Sequence, residues 1–308
     1  MRLYLAALYT SNFHQRSQAY MRAAPAEKAA RDGVKYLLES YHYIHKEQYV
    51  ERIRTDGAKV FLDSGAFSAF TKNAEIDIPT YVDYVKKNYD IIEKVDGIGL
   101  FSVLDKVGDK EGGLGTYRNQ MYMEKLGVKP LPCFHYGEDE RYLEWYIQNY
   151  SYITIGGMVP ITTPQLFLWL DRIWDRYLTD GSGRPKLRVH GFGLTSIDLM
   201  ERYPWFSVDS SSWVQIAANG AIYIRKWGTI FISKGSPTIK EPGRHLDNIP
   251  EVQRRAICAE IERLGFSVER LQTDYIARWA FCCGSFTELN EFTNRQDKRF
   301  KASQPLLF

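Results

Sequence analysis

The feature that most constrains this fold is an alternation of short apolar segments with longer amphipathic ones. The apolar segments are mostly continuous, which is typical of strands buried on both faces of a parallel sheet. The amphipathic segments have helical spacing, and those at 79–93 and 164–178 begin with proline, a residue favoured in the first helical turn. Eight apolar segments occur, at residues 3–9, 35–40, 59–63, 97–105, 129–134, 152–157, 186–193 and 205–209.

Repeated strand–helix units of this kind predict an α/β fold with a parallel sheet. Eight units within roughly 200–250 residues match the size of a (β/α)₈ TIM barrel. An open, doubly wound sheet is the alternative that the same alternation allows. The barrel is the fold that we predict.

The pattern changes after the eighth segment. Residues 220–235 alternate apolar and polar side chains around Trp227-Gly228, which predicts a β-hairpin inserted after strand eight. Two helical stretches follow and predict a helical C-terminal extension. We therefore expect one domain over residues 1–285, with the hairpin as an insertion, and a C-terminal tail over 286–308.

Charge and cysteine content narrow the class of protein. The formal net charge is +3, which neither announces nor excludes nucleic-acid binding, because a local basic patch can bind phosphate in a nearly neutral chain. Four cysteines without a C-x-x-C pair make no disulfide framework and indicate a reducing, cytoplasmic setting. No apolar segment approaches the ~20 residues that span a bilayer, so no membrane partner is expected. We interpret residues 3–9 as a buried strand, not a signal peptide.

Aspartates stand at the ends of three predicted strands, at positions 63, 105 and 209. Catalytic groups of a barrel come from the carboxyl ends of its strands, so these carboxylates should converge. Two carboxylates in distinct protonation states suit glycosidic-bond chemistry, in which one attacks the anomeric carbon and the other moves a proton. A helix cap is the plainer alternative for any one of them. The other strand ends carry His135-Tyr136, Gly156-Gly157 and His190-Gly191.

An ordered series of motifs adds a resemblance. The series is Asp63-Ser64-Gly65-Ala66-Phe67, Gly156-Gly157-Met158, His190-Gly191-Phe192-Gly193 and Phe206-Ser207-Val208-Asp209, followed by Asn219-Gly220 and the hairpin. In order and spacing, over roughly residues 59–235, it resembles the tRNA-guanine transglycosylase family. That family consists of (β/α)₈ barrels that exchange guanine in nucleic acid for a 7-deazaguanine base.

The resemblance implies a role for each matching residue. Asp209 would be the nucleophile that forms a covalent glycosyl-enzyme, and Asp63 the general acid/base. Asp105 would accept hydrogen bonds from the guanine N1–H and 2-amino group. The backbone of Gly156 and Gly157 would donate to the base carbonyl. The remaining expected substrate-binding residues are Phe67, which lines the base, His135 or Tyr136 at the position of a family glutamine, and Ser64, His190 and Gly191.

The departures from the family pattern bear on metal and substrate. The family's C-x-C-x-x-C…H zinc site is missing, and the adjacent Cys282 and Cys283 are interpreted as buried core thiols. Ala66 and Ser68 replace a glycine and a glutamine, and Ser212-Trp213 replaces P-T-R. We expect no metal and no cofactor. A zinc-less chain resembles most the phage and bacterial relatives that insert 7-deazaguanines into DNA.

The predicted function is therefore a pentosyltransferase that replaces guanine in DNA by a 7-deazaguanine such as 7-cyano-7-deazaguanine. The same exchange on tRNA, a queuosine-type modification, is the first alternative. A non-catalytic nucleic-acid-binding relative and a different barrel glycosidase are the others. For a phage-encoded chain the compartment would be the host cytoplasm, and homodimer formation stays open.

Nucleic acid is expected to bind at the hairpin. Arg225, Lys226 and Lys234 would contact phosphates, while Trp213 would stack on splayed bases, helped by Tyr223 and Trp227. A solvated basic surface is the alternative reading of these charges. More basic residues follow at Lys240, Arg244, Arg295, Lys298, Arg299 and Lys301. The target guanine would have to leave its helix to reach a barrel mouth.

Overall fold

The computed structural model describes residues 1–107, 112–194, 196–241, 243–294 and 299–300. The chain divides into two compact units, which we call the sheet unit (1–6, 36–210 and 293–308) and the hairpin unit (7–35 and 211–292). Both units are discontinuous in sequence, so neither coincides with a segment such as 1–285. The predicted basic tail positions Arg295, Lys298 and Lys301 lie outside the described residues.

Eleven β-strands are present among the described residues, numbered here in chain order. They are β1 (Arg2–Ala6), β2 (Leu37–Ser40), β3 (Phe61–Asp63), β4 (Lys94–Val95), β5 (Ile98–Gly99), β6 (Cys133–His135), β7 (Tyr152–Gly156), β8 (Arg188–Gly191), β9 (Ser207–Ser210), β10 (Ala221–Ile224) and β11 (Gly228–Phe231).

Fourteen α-helices are numbered in the same way among the described residues. They are α1 (Gln18–Arg22), α2 (Pro25–Asp32), α3 (Tyr41–Ile44), α4 (Glu47–Thr55), α5 (Ala66–Thr71), α6 (Ile78–Lys87), α7 (Gly112–Lys125), α8 (Glu140–Asn149), α9 (Thr163–Ile173), α10 (Ile197–Arg202), α11 (Ser212–Ala218), α12 (Glu251–Arg263), α13 (Val268–Thr273) and α14 (Tyr275–Asn294). A π-helical turn, Trp174–Leu178, continues α9, and short 3₁₀ turns lie at Pro237–Lys240 and Leu246–Asn248. Searching the described helices for a segment long and apolar enough to cross a bilayer finds none. The predicted tail boundary at residue 286 falls inside α14.

The sheet unit is built on seven parallel strands in the order β3-β2-β1-β9-β8-β7-β6. The sheet is curled and flanked by helices, which confirms the mixed α/β class and seven of the eight predicted strands. β7 is buried along its whole length, as its continuous apolar run predicts. Helix α6 begins after Asp77, whose side chain accepts a hydrogen bond from the Thr80 N–H, with Pro79 in the first turn.

The predicted fourth strand, 97–105, differs from expectation. Asp96 and Gly97 both have positive φ, 49° and 83°, and form the tight turn that joins β4 to β5 as a separate hairpin. The next residues contribute only single bridges, from Phe101 to Leu62 of β3 and from Ser102 to Leu131 before β6. An Asp-Gly hairpin turn therefore uses part of the apolar segment that would otherwise extend this strand.

The hairpin unit contains the predicted insertion. Strands β10 and β11 pair antiparallel, with Ile224 opposite Gly228, and Gly228 takes a positive φ of 75° at the turn. Helices α12, α13 and α14 confirm the predicted helical extension. Cys282 and Cys283 of α14 have no exposed surface, so the prediction of buried thiols is confirmed. Burial raises the pKa of Cys282 to about 12.

Candidate active site with three carboxylates

Asp63 is held at the carboxyl end of β3 by a sharp turn into α5. Gly65 has a φ of 78°, and a Cβ atom there would lie 2.4 Å from Ser40 Oγ, so the turn requires glycine. The Gly65 N–H donates to Asp63 Oδ2 at 3.0 Å. The backbone N–H of the buried Ser64 donates to Ser102 Oγ at 2.8 Å. Ser64 thus contributes to the turn, while its side chain has no exposed surface.

The protonation of Asp63 indicates that the three aspartates converge. Burial raises its pKa to about 7, and the charges of Asp105 and Asp209 act in the same direction. In a flat sheet the strands β3 and β9 would be roughly 14 Å apart, because neighbouring strands are about 4.8 Å apart. The curled sheet brings their ends close enough for the charges to interact.

Asp105 presents an oxygen that has no partner among the described residues. Its Oδ1 is buried and accepts no hydrogen bond, while Oδ2 lies 3.5 Å from His135 Nε2. Glu138 orients the imidazole, because its Oε1 lies 2.9 Å from His135 Nδ1 and its Oε2 accepts the His135 backbone N–H. A buried acceptor without a donor is costly, so Asp105 Oδ1 is suited to receive a donor from a ligand.

Protonation of His135 follows from the same neighbours. Burial by itself would lower the pKa of His135, but the charge of the Asp105 carboxylate and the hydrogen bond to it raise the pKa above its usual value. Burial raises the pKa of Cys133 to about 11, which makes it a neutral thiol at physiological pH. The imidazole is therefore the cationic member of this group, beside two carboxylates.

Three side chains of this group could also hold a metal ion. One ligand atom from each of Asp105, Cys133 and His135 lies within 4.8 Å of the others. A thiolate, an imidazole and a carboxylate suit Zn²⁺ or a similar transition metal, and do not suit Mg²⁺. Glu138 on the other ring nitrogen is the kind of support that metal-binding histidines commonly have.

The glycine pair after β7 allows a close approach of two backbone segments. A Cβ at Gly156 would lie 3.0 Å from the His135 ring, and Gly157 has a φ of 69°. The Tyr136 N–H donates to the Gly156 carbonyl at 3.1 Å, and the Tyr136 ring packs 5.1 Å from that of Trp169. His135 and Tyr136 therefore lie beside the glycine pair, as the order of strand ends predicts.

Asp209 is nearly buried on β9 and is bonded asymmetrically. Its Oδ1 accepts the Gly193 N–H at 2.9 Å and lies 3.3 Å from His190 Nε2. Its Oδ2 accepts no hydrogen bond from any residue that the structure describes. One oxygen of the carboxylate is thus held and the other is available.

Other predicted site residues occupy different environments. His190 has no exposed surface, and both ring nitrogens face protein atoms. Gly191 is packed against Trp205, whose ring would lie 3.1 Å from a Cβ there. The structure thus places His190 and Gly191 behind the carboxylate of Asp209. Phe67 on α5 is 56% exposed and available to stack on a ligand.

The sheet unit has a cavity at each end of its strands. One of about 190 Å³ is formed by the segments after β7 and β8 and includes Gly193, which binds Asp209. Its lining combines apolar side chains, such as Met158 and Leu194, with polar residues such as Thr163 and Ser196. A larger cavity, about 790 Å³, opens at the amino-terminal ends of strands and includes none of the three aspartates. The three aspartates therefore lie away from the larger cavity, and Asp209 is bonded to a residue that lines the smaller one.

Sequence reasoning missed several residues that support the aspartates. Ser102 and Glu138 precede or follow strand ends without a motif of their own, and Ser207 was considered only as part of the Asp209 motif. Gly193 had a visible signal, since it ends the His190 motif and its positive φ of 62° turns its N–H toward Asp209. Ser102, Ser207 and Gly193 act through hydrogen bonds between different segments, whereas Glu138 acts through His135, three residues earlier.

The predicted nucleic-acid residues lie in the hairpin unit. Arg225, Lys226 and Lys234 are exposed. Arg225 Nε is 3.6 Å from Glu288 Oε1, so part of its charge is compensated, and Lys226 Nζ lies 4.8 Å from the Trp227 ring centroid. Trp213 is wrongly predicted as a stacking residue: it lies in α11 with no exposed surface, because α11 turns it into the core of this unit.

No protein-family model matches the chain, and no curated protein is significantly similar to it.

Proposed function

We propose that this protein is a base-exchange glycosyltransferase that replaces guanine in DNA by a 7-deazaguanine through a covalent aspartyl–glycosyl intermediate. The main support for the proposal is a pair of carboxylates that differ in hydrogen bonding and in pKa. Asp209 offers an unbonded Oδ2, whereas Asp63 has a pKa raised to about 7. A nucleophile and a proton carrier of this kind are what glycosyl transfer requires. The proposal includes a closed (β/α)₈ barrel in which residues 100–103 are the missing strand, supported by their bridges to both neighbours.

The first half-reaction begins with attack of Asp209 Oδ2 on the sugar C1′. The bond from C1′ to guanine N9 breaks, its electron pair stays on the base, and the protonated Asp63 supplies the proton that the departing base takes up. In the second half-reaction Asp63, now ionised, removes the N9 proton of the incoming 7-deazaguanine. That base attacks C1′ and displaces Asp209. A pKa near neutrality suits a group that must both give and take a proton.

Base recognition is assigned to the group around Asp105. Its unpartnered Oδ1 is suited to the N1–H and 2-amino donors of guanine. The backbone at Gly156 and Gly157 would serve the base carbonyl, because glycines let a flat ligand approach closely. Phe67, which is largely exposed, would stack on the base or on its neighbour. Substrates without an N1–H donor are therefore expected to bind poorly.

DNA is the proposed polymer, and tRNA is an outcome of the test. The sequence lacks the cysteine set of the zinc-containing tRNA enzymes, and Cys282 and Cys283 are buried in α14. Exposed cations on the hairpin favour a polyanionic partner over a small sugar. Presence of both Asp63 and Asp209 argues against a non-catalytic relative.

The decisive experiment is incubation with labelled guanine, or with a labelled 7-deazaguanine, and either duplex DNA, single-stranded DNA or tRNA. Label in DNA supports the proposal. Label in tRNA alone would mean that tRNA, and not DNA, is the substrate. No incorporation into any of the three would overturn base exchange. The Asp209→Ala protein is the matched negative control.

Charge removal on the hairpin should weaken nucleic-acid binding. We expect Arg225→Ala with Lys226→Ala to lower DNA affinity and to reduce the slope of log K against log salt by about one for each phosphate that is no longer neutralised. Lys125→Ala, at the exposed end of α7, is the matched control and should leave the slope unchanged. Fluorescence anisotropy at several salt concentrations measures both quantities. If the slope of log K against log salt is unchanged in the double variant, Arg225 and Lys226 do not contact phosphates.

Zinc should inhibit the exchange reaction. Metal bound by Asp105, Cys133 and His135 would use the carboxylate that the base needs, so the inhibition should be competitive with guanine. Mg²⁺ at the same concentration is the control, because it has little affinity for thiol and imidazole ligands. Initial rates at varied guanine concentration measure the effect. Inhibition by zinc that persists unchanged in Cys133→Ser would contradict this metal site.

A further inference from the structure

A chain of hydrogen bonds lies behind Asp209 and crosses three neighbouring strands. Tyr152 Oη of β7 is 2.6 Å from Ser207 Oγ of β9. Ser207 Oγ is 2.7 Å from His190 Nδ1 of β8, and His190 Nε2 is 3.3 Å from Asp209 Oδ1. The strand order places these side chains together, since β7, β8 and β9 are adjacent and His190 pairs with Ser207. The chain connects a buried phenol to the candidate nucleophile.

The number of available protons determines which atom donates in each of these hydrogen bonds. The Tyr152 hydroxyl has no acceptor other than Ser207 Oγ among the described residues, so it donates to Ser207. Ser207 then has one proton, which it donates to His190 Nδ1. A neutral imidazole that accepts at Nδ1 has its proton on Nε2. His190 therefore donates an N–H to Asp209 Oδ1, whereas the opposite direction would turn a ring lone pair toward a carboxylate.

Aromatic rings enclose His190 and keep it neutral. The Phe61 and Phe192 rings lie 4.5 and 4.6 Å from the imidazole, and Tyr4 lies 6.0 Å away. Burial lowers the pKa of His190, although the Asp209 carboxylate acts in the opposite direction. The titratable groups that face it are Asp209 on β9, Tyr4 on β1 and, through Ser207, Tyr152 on β7. Among the described residues, a protonated imidazole has no stabilising partner here besides Asp209.

We propose that His190 is a positioning residue that selects which oxygen of Asp209 attacks the sugar. Together with the Gly193 N–H it holds Oδ1, so that Oδ2 is the free nucleophilic atom. The assignment rests on the proposed function, in which Asp209 is the nucleophile. It differs from the predicted role of His190 as a substrate contact, because the imidazole acts through Asp209.

The same donors serve the intermediate. When the bond from Oδ2 to C1′ has formed, Oδ1 becomes the carbonyl oxygen of an ester and keeps both hydrogen bonds. When the second base displaces Asp209, the electron pair of that bond returns to the carboxylate, and the two N–H groups stabilise the charge that reappears. Fixed donors lower the barrier of this second step because they need no reorganisation while the charge develops, and in the first step they hold the carboxylate in position. The Ser207 and Tyr152 hydroxyls hold the imidazole in the required tautomer.

Glutamine and asparagine each carry a side-chain amide that can take the place of one ring nitrogen of His190. They therefore give a matched pair of variants. His190→Gln can place an N–H near the position of Nε2, whereas His190→Asn reaches only the position of Nδ1. We expect His190→Asn to lower kcat by about 100-fold with little change in KM, which is the cost of a misplaced reacting group. His190→Gln should recover most of that loss.

Ser207→Ala is a milder variant that keeps the imidazole. It frees Nδ1, so the tautomer is no longer fixed, and an intermediate loss of kcat is expected. A purely structural role would lower thermal stability in all three variants without the kcat-against-KM split or the recovery by glutamine. Equal kinetics in His190→Gln and His190→Asn at equal stability would overturn the proposal.

The tautomer can be measured in the ligand-free protein. With six histidines in the chain, ¹⁵N spectra of imidazole-labelled protein should show one ring that stays in the Nε2–H form from about pH 5 to pH 9 and disappears in His190→Gln. A His190 that titrates in this range, or has its proton on Nδ1, overturns the positioning role even if base exchange is confirmed. If the wild-type protein exchanges no base, the proposed function fails independently of this spectrum.

Discussion

Replacing Asp209 by alanine should abolish base exchange, with a loss of at least about 10⁴-fold in kcat, the size seen when a catalytic nucleophile is removed. The covalent intermediate cannot form without Oδ2, so no protein–DNA adduct should survive denaturing electrophoresis. Asp209→Asn keeps an acceptor for the Gly193 N–H but offers a weak nucleophile, and it should be equally inactive. Exchange of labelled guanine and trapping of the adduct measure the two effects.

Folding must be separated from chemistry in this test. The carboxylate is nearly buried, so Asp209→Ala leaves the Gly193 N–H without its acceptor and lowers stability. Circular dichroism and DNA affinity should therefore accompany each activity. Asp180→Ala, in an exposed turn, is a matched control that should keep full activity. If a folded Asp209→Ala protein still exchanges guanine, Asp209 is not the nucleophile.

Replacing Asp63 by asparagine should have two large and opposite effects. Activity should fall severely, by about 10²–10⁴-fold, because no proton carrier remains for the base. Stability at pH 8 should rise by about 1–3 kcal/mol. The folded-state pKa of Asp63 is about 7 against an ordinary 3.8, so the unfolded chain gives up this proton first as pH rises. The associated stability is complete below about pH 4 and is lost between about pH 4 and pH 7.

Denaturant melts at about pH 5 and pH 8 test the stability effect. The wild-type protein should lose more stability across this interval than Asp63→Asn does, and the difference should close at acid pH. Single-turnover guanine release gives the kinetic counterpart, since it should decline in the wild type as pH rises through about 7. Asp83→Asn, on the exposed face of α6, is the control for removing one carboxylate. An Asp63→Asn protein less stable than the wild type at pH 8 would contradict the raised pKa.

Much of the fold and the carboxylate group could be predicted because both depend on local pattern. Continuous apolar segments identified seven of the parallel strands, and the carboxyl ends of parallel strands share one edge. Asp63 and Asp209 follow from that rule, whereas Asp105 follows the predicted segment 97–105, which contributes only single bridges. The hairpin after strand eight was equally visible, since its alternation and its Trp227-Gly228 turn are local signals.

The residues that orient the aspartates could not be predicted, because they depend on strand register. The contact of Ser207 with His190 and Tyr152 requires three strands in one alignment, which no local pattern specifies. The Asp96-Gly97 pair is a readable turn signal, but it lies at the start of the segment 97–105, which is predicted as a strand. Trp213 was misjudged because one turn of helix decides whether a side chain faces solvent or core.

The position of β1 has a consequence for how the molecule assembles itself. β1 lies between β2 and β9, and its Tyr4 pairs with Asp209, which comes far later in the chain. Pairing over such a separation closes a very long loop, and folds rich in such contacts have high contact order and fold slowly. We therefore expect the pairing of β1 with β9, which carries Asp209, to be among the last to form. In a refolding experiment, native secondary structure should precede the recovery of a competent site, and partly folded chains should expose the edge of an incomplete sheet.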